Sequence, residues 1–285
     1  MTLENEVVKE VVVVKQQIVN LSFDCYEFYK FIETISKYVD EAELIFENRD
    51  LTINFMDASR IMLAKCSMYL TNYHGCELLE KMTFGVNTSD FAKLLKTRKS
   101  DKKEVELIFD NTKKFIEITK TSQKYDSHIN KTLNLLDLDL EEIPMDNLSK
   151  IEYPSKVHFQ TSILDDFYYE SSNYSEVVEI EIDEDIGISF SETGQIGNSK
   201  YLIKKEFCND IKGFEKSSYS YTFLTPIKPL LPILASNSEI IFSIKQDHPI
   251  KLNLYIESLD INILIFLAPR VEERDYDDDY DENDF

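Results

Sequence analysis

Glycine is scarce in this chain, six in 285 residues, and cysteine and histidine number four each. Each scarcity closes off a chemistry. So few glycines leave no phosphate-cradling loop, since the closest pair, Gly194 and Gly197, does not open a helix. Cys25, Cys66, Cys76 and Cys208 show no CxxC spacing and accompany no signal peptide, so they read as free thiols in a reducing, intracellular compartment. His74, His128, His158 and His248 have no metal-ligand spacing. The expectation is therefore no enzyme, no metal and no cofactor. The apolar run Ile263 to Leu267 suits a buried strand and is too short to cross a membrane.

What is abundant is acid. Lysine and arginine total 31 against 53 aspartates and glutamates, a net charge of −22. Nine of those acids lie between Glu272 and Phe285, with one arginine, so the rest of the chain carries −14. Residues 274–285 are expected to be a disordered acidic tail. Such a balance repels nucleic acid unless the few cations gather on one face. With 43% apolar and 12% aromatic residues, the chain can build the cores of two domains.

The order of elements reads as two similar halves. Cys25, Phe28, Phe31, Ile32, Ile35 and Val39 recur at helical spacing after a capping Asp24. Strands are expected at Glu43–Phe46 and Leu51–Phe55, with a turn at Asn48-Arg49-Asp50. Asn87-Thr88-Ser89-Asp90 caps a helix expected to reach Arg98, and Val105–Phe109 pairs with Phe115–Ile118. The order returns with a helix at Ser162–Ser171, strands at Val177–Ile182 and Gly187–Phe190, a second helical stretch ending near Ala235, and a meander through Glu239–Ile244, Ile250–Ile256 and Ile261–Leu267. Three prolines, Pro226, Pro229 and Pro232, predict that the second helical stretch is kinked or partly extended. This duplication with antiparallel strands indicates an α+β fold. The expected division is an N-terminal extension over 1–22, domains over 23–124 and 153–273, and a connector over 125–152, whose conformation reads as either a long loop or an edge strand.

Five segments, in order, resemble the PCNA family of sliding clamps: FMDASRIML (Phe55–Leu63), GVNTSDFAKLLK (Gly85–Lys96), LDLDLEEIP (Leu136–Pro144), FSETGQIGNS (Phe190–Ser199) and DHPIKLNLYI leading to LAPRVEE. The resemblance implies a ring-forming, non-enzymatic protein of two-domain subunits, with helices lining a hole around double-stranded DNA and sheets outside. Implied partners are a DNA polymerase, a clamp loader and other clients, with a homotrimer expected and a heterotrimer as the alternative.

By the same resemblance, Lys30, Lys37, Lys93, Lys96, Arg98, Lys99 and Lys228 are candidates to face DNA. A client pocket would be formed by Met56, Arg60, Ile61, Leu63, Ile143, Pro144, Pro249, Phe266, Ala268 and Pro269. Subunits would join through an edge strand bearing Lys113, Lys114, Phe115, Ile118 and Lys120 against an acidic edge bearing Val177, Glu179, Glu181 and Asp183. The second half departs from the pattern: SILDDFYYESS carries Asp165, Asp166 and Glu170 where cations are expected. That departure supports the alternative of a checkpoint-type or non-sliding subunit that docks proteins.

Overall fold

The computed structural model describes residues 16–70, 79–140, 143, 145–170, 175–220, 224–234 and 238–270. The acidic tail, most of the N-terminal extension and Pro144 lie outside them. In the first half the strands are β1 (Ile18–Asp24), β2 (Glu41–Asn48), β3 (Asp50–Met56), β4 (Met62–Tyr69), β5 (Leu79–Asn87), β6 (Lys103–Asp110), β7 (Phe115–Ser122) and β8 (Ser127–Asn134), with helices α1 (Cys25–Ile35) and α2 (Thr88–Leu95). A short α3 (Met145–Ser149) follows. The second half holds β9 (Ser155–Gln160), α4 (Thr161–Glu170), β10 (Val177–Asp183), β11 (Gly187–Gly194), β12 (Gly197–Lys204), β13 (Cys208–Lys212), β14 (Phe214–Ser220), β15 (Glu239–Ile244), β16 (Ile250–Ile256) and β17 (Ile261–Leu267).

Local chemistry explains the boundaries. Asp24 Oδ1 accepts from the amides of Tyr26 and Glu27 at 2.9 and 3.0 Å and starts α1; Asn87 Oδ1 accepts from Asp90 N at 2.9 Å and starts α2. The periodic apolar residues of α1 turn inward, from Cys25 and Phe28 to Phe31, Ile32 and Ile35. Strands β2 and β3 alternate buried and solvent-facing residues, as a half-covered sheet requires. Asn48, Asp126 and Asp260 take positive φ at the strand-to-strand turns, a conformation that short polar side chains tolerate.

Two compact units divide the chain, and β3 and β4 contribute to both. In the first, β1-β6-β7-β8 form an antiparallel sheet and β2 pairs with β5. Phe46, Phe84 and Phe109 meet in its core, with centroids 4.8 to 5.7 Å apart. In the second, β12-β11-β10-β14 form one sheet, and β13-β9-β15-β16-β17 run on to β4 in another. Phe190 stacks on Phe167 of α4 at 4.4 Å and meets Phe242 edge-on at 5.8 Å.

The pairings repeat. β1 pairs with β6 as β9 pairs with β15; β2 pairs with β5 as β10 pairs with β14. The sheet order β1-β6-β7-β8 thus matches β9-β15-β16-β17, and β5-β2-β3-β4 matches β14-β10-β11-β12. In two respects the repeat is incomplete, the first being that β13 lies beside β9 with no counterpart beside β1. The second is that β17 and β4 lie side by side, whereas their counterparts β8 and β12 each end a sheet.

Several expectations need correction. Residues 18–22, assigned to an extension, belong to β1, because their alternate side chains Val19 and Leu21 are fully buried against β6. The connector begins later than 125, since Ser127–Asn134 is an edge strand bonded to β7. α1 stops at Ile35, where Ser36 N donates to Ile32 O and Ser36 Oγ to Glu33 O, leaving Val39 beyond it. α2 stops at Leu95, not Arg98. The proline-rich stretch Thr225–Ile233 is neither kinked α-helix nor extended; it is a 3-10 helix. With three residues per turn, positions 226, 229 and 232 form one row, while Ile227, Leu230 and Ile233 form the buried row. The missing proline donors therefore fall along one side.

Candidate functional site

The C-terminal end of α2 is built around lysine. Lys120 on β7, only 3% exposed, donates from Nζ to the carbonyls of Leu94, Leu95 and Lys96 at 3.1, 2.8 and 3.0 Å. Lys131 on β8 donates to Leu94 O at 3.0 Å. Two ammonium groups thus satisfy carbonyls that a helix end leaves unpaired and complement its negative pole. Burial holds the Lys120 ammonium below its usual pKa. Burial also pushes up the nearby Cys25 thiol, whose Sγ contacts Leu95 O at 3.4 Å.

This cap anchors an exposed cationic stretch. Lys93, Lys96, Arg98, Lys99 and Lys102 are solvent-exposed, and Asp101 is the acid among them. Lys93 pairs with Asp90 at 2.8 Å, a surface contact that leaves the ammonium accessible. Lys96, Arg98 and Lys99 lie beyond the helix end instead of on its face. Lys30 is held down, 2.7 Å from Glu33 Oε2 and over the Tyr26 and Tyr29 rings at 5.8 and 5.4 Å. Lys37 is exposed past the end of α1, so it shares no helix face with Lys30. Lys228 is exposed on the 3-10 helix. The outer side of α4 offers Asp165, Asp166, Tyr169 and Glu170 and no cation.

The candidate pocket residues are positioned by a tight turn and by the end of β17. Asp57 N donates to Met62 O and Arg60 N to Asp57 O, at 3.0 and 2.9 Å, while Asp57 Oδ2 accepts from Ser59 N at 2.8 Å. Arg60 sits at φ 56° and is exposed. Ala268 N donates to Ile61 O at 2.8 Å, joining that turn to the end of β17. Pro269 bridges Tyr219, and Arg270 N donates to Ser218 O at 2.7 Å. Tyr153 Oη donates to Pro249 O at 2.9 Å, and burial raises its pKa to about 12. Met56, Ile61, Ile143, Pro249, Ala268 and Pro269 are half-buried; Leu63 and Phe266 are core residues at 8% and 2% exposure.

The expected subunit strands are overturned by the topology. β7 is bonded to β6 and β8, and β10 to β11 and β14, so both are interior. Ile118 and Lys120 are buried, Lys113 is ion-paired with Glu117, and Lys114 and Phe115 lead into the same interior strand. Glu179 pairs with Lys216 at 2.8 Å and Glu181 with Lys200 at 3.7 Å, while Asp183 caps its own turn; Val177 pairs with Ser220. Charge alone cannot distinguish an edge from an interior strand whose charged residues face solvent. Among the strands that end their sheets, β8 and β12 expose Ile129 and Leu202 at 41% each. Also missed was Gly85, which binds the start of the connector. Leu136 N donates to Gly85 O at 2.8 Å, and a Cβ there would lie 2.5 Å from Leu136 O and 2.8 Å from Leu138 Cγ.

No group of metal-ligating side chains occurs among the described residues, and no described helix is long and apolar enough to cross a membrane. The fold is that of a PCNA clamp subunit. A solved PCNA2–PCNA3 complex of Sulfolobus tokodaii overlays with TM-score 0.77 at 18% identity, covering 90% of this chain and all of that one. The structure of the C-terminal region of FEN-1 bound to A. fulgidus PCNA overlays with TM-score 0.73 at 17% identity, again over 90% and 100%. The family model "Proliferating cell nuclear antigen, N-terminal domain" matches residues 11–143. The DNA polymerase sliding clamp of Pyrococcus furiosus is 26% identical over 251 residues, 87% of this chain and 96% of the relative. A probable DNA polymerase sliding clamp 2 of Paramecium bursaria Chlorella virus 1 is 21% identical, over 88% and 90%. These matches make the chain similar, as a divergent relative, to the PCNA family of sliding clamps.

Proposed function

We propose that this chain is a subunit of a ring that encircles duplex DNA and tethers a polymerase and other clients to it. The observation that carries the reading is that β8 and β12 end their sheets where their repeat counterparts β17 and β4 are neighbours. In the sheet order β17 lies beside β4, and β8 and β12 are the counterparts of those two strands. A second copy can therefore add its β12 to β8 by the pairing that β17 and β4 already make, and repetition of that contact is head-to-tail and can close. The cationic stretch after α2 supplies sequence-independent contact with phosphates. The surface bearing Met56, Arg60, Ile61, Pro249, Ala268 and Pro269 suits a short client segment with apolar anchors.

Stimulation of a polymerase on circular primed DNA, absent on linear DNA with open ends, is the expected result. Equal stimulation on both would replace the ring with a simple docking module.

The acidic face of α4 favours a second reading, in which this subunit shares a ring with more basic partners. The Sulfolobus complex likewise joins two different clamp chains, PCNA2 and PCNA3. Native mass spectrometry of the chain alone separates the two readings: a mass of three subunits supports self-closure, and a monomer supports mixed assembly.

A further inference from the structure

The second unit exposes three large apolar side chains at one end of the β12-β11-β10-β14 sheet. Ile186, Phe207 and Phe214 are 55%, 62% and 62% exposed. They come from separate segments that the backbone holds together. Lys205 N donates to Ile186 O at 2.8 Å, which places the short 3-10 turn Lys205–Phe207 against the β10–β11 turn. Glu184 N donates to Gly213 O at 3.0 Å, Gly213 N returns a bond to Glu184 Oε2 at 2.7 Å, and Phe214 pairs with Asp183. Gly213, at φ 78°, takes a backbone conformation that glycine accepts without strain.

Isolated exposed apolar residues need no explanation, but a group of three on one rim marks an interaction surface. The rim is acidic. The segments 183–187 and 204–215 carry six carboxylates, at 183, 184, 185, 206, 210 and 215, against three lysines, at 204, 205 and 212. Three such side chains expose apolar surface on the order of 300 Å². A stable pair of folded proteins buries about 800 Å² on each side. The area therefore suits a short segment better than a second copy of this chain.

We infer that Ile186, Phe207 and Phe214 form a docking patch for a cationic amphipathic segment of a partner protein, with aliphatic or aromatic anchors seated on the two phenylalanines and lysines or arginines facing the carboxylate rim. Aromatic anchors at the centre supply most of the affinity, while the rim charges set the sign of the partner and the association rate. The inference rests on residues of the second unit alone and does not require a closed ring.

The test uses the full chain and a fluorescein-labelled amphipathic peptide of leucine and lysine, followed by anisotropy. Micromolar binding is expected. Phe207→Ser and Phe214→Ser should each weaken it at least tenfold at an unchanged melting temperature, Asp185→Lys should slow association, and a peptide with glutamate in place of lysine should not bind. Equal binding by both serine variants would reduce the effect to diffuse charge and overturn the proposal. So would equal binding of the glutamate peptide. A change of oligomeric state in the serine variants, read by sedimentation, would make a second copy the occupant and overturn it as well.

Discussion

Glu192 on β11 is 2% exposed, and neither carboxylate oxygen has a hydrogen-bond partner. Burial raises its pKa to about 7 from an ordinary value of 4.5. The sign follows directly: the folded state prefers the protonated acid, so stability is full below the unfolded pKa and falls as pH rises towards 7. Tyr201 on the neighbouring β12, opposite Phe190, has its pKa raised first by burial and then by Asp166 and Glu170 of α4. Glu192→Gln should remove the dependence and gain about 2–3 kcal/mol over wild type at pH 8, with little difference at pH 4.5, read from urea titrations at both pH values. Parallel titration of both proteins would refute it. Lys120 presents the opposite case, a buried cation whose three acceptors are all backbone. Lys120→Met should cost about 2–3 kcal/mol and increase amide exchange at the end of α2, because the Leu95 and Lys96 carbonyls lose their ammonium donor while Leu94 O keeps only Lys131. The sequence suggested a surface lysine at an edge; only the neighbouring helix end reveals why it is buried.

Among the elements, the connector shows how a single missing side chain sets a path. Gly85 lets the chain at Leu136–Leu138 lie directly on β5, so Gly85→Val should release Leu136 N from protection in hydrogen exchange and weaken client-peptide binding about tenfold, with β5 itself still paired. Unchanged protection at Leu136 would show that the strand shifts to absorb the side chain. The connector motif was legible as LDLDLEEIP; its attachment point was not, because a glycine in a strand gives no hint of what crosses it. The 3-10 helix was legible only in part. Prolines at 226, 229 and 232 argue against an α-helix, and their three-residue spacing becomes informative only once the buried row Ile227, Leu230 and Ile233 is seen beside it.

For the whole molecule, the proposed assembly rests on the strand edges. Ile129→Lys on β8 and Leu202→Glu on β12 place charge on the strands proposed to meet, and each should shift the particle to monomer in light scattering while leaving the melting temperature within a few degrees. Restored assembly on mixing the two variants, which brings the introduced lysine opposite the introduced glutamate, or joins the two edges left unmodified, would support head-to-tail pairing. Assembly that survives both substitutions would point to other surfaces. The cationic stretch after α2 makes a separate prediction: Arg98→Glu with Lys99→Glu should reduce DNA-dependent stimulation and lower its salt sensitivity without altering assembly.

The sequence by itself determined the class of fold, the resemblance to sliding clamps and the start of both capped helices, because these rest on local periodicity, capping side chains and short motifs. It also marked the turn at Ile61 and the strand end at Pro269, which the bond from Ala268 N to Ile61 O joins, since turn-forming residues and a strand that ends on proline are written locally. Tertiary structure decided which strands are edges, which lysines reach solvent and which close on helix carbonyls. Those properties depend on neighbours far apart in the chain: β7 and β10 have the alternation and the charge of edges, yet each has a bonded partner on both sides. A charge pattern specifies what a strand can tolerate in water, and only the sheet order determines whether another strand is already there.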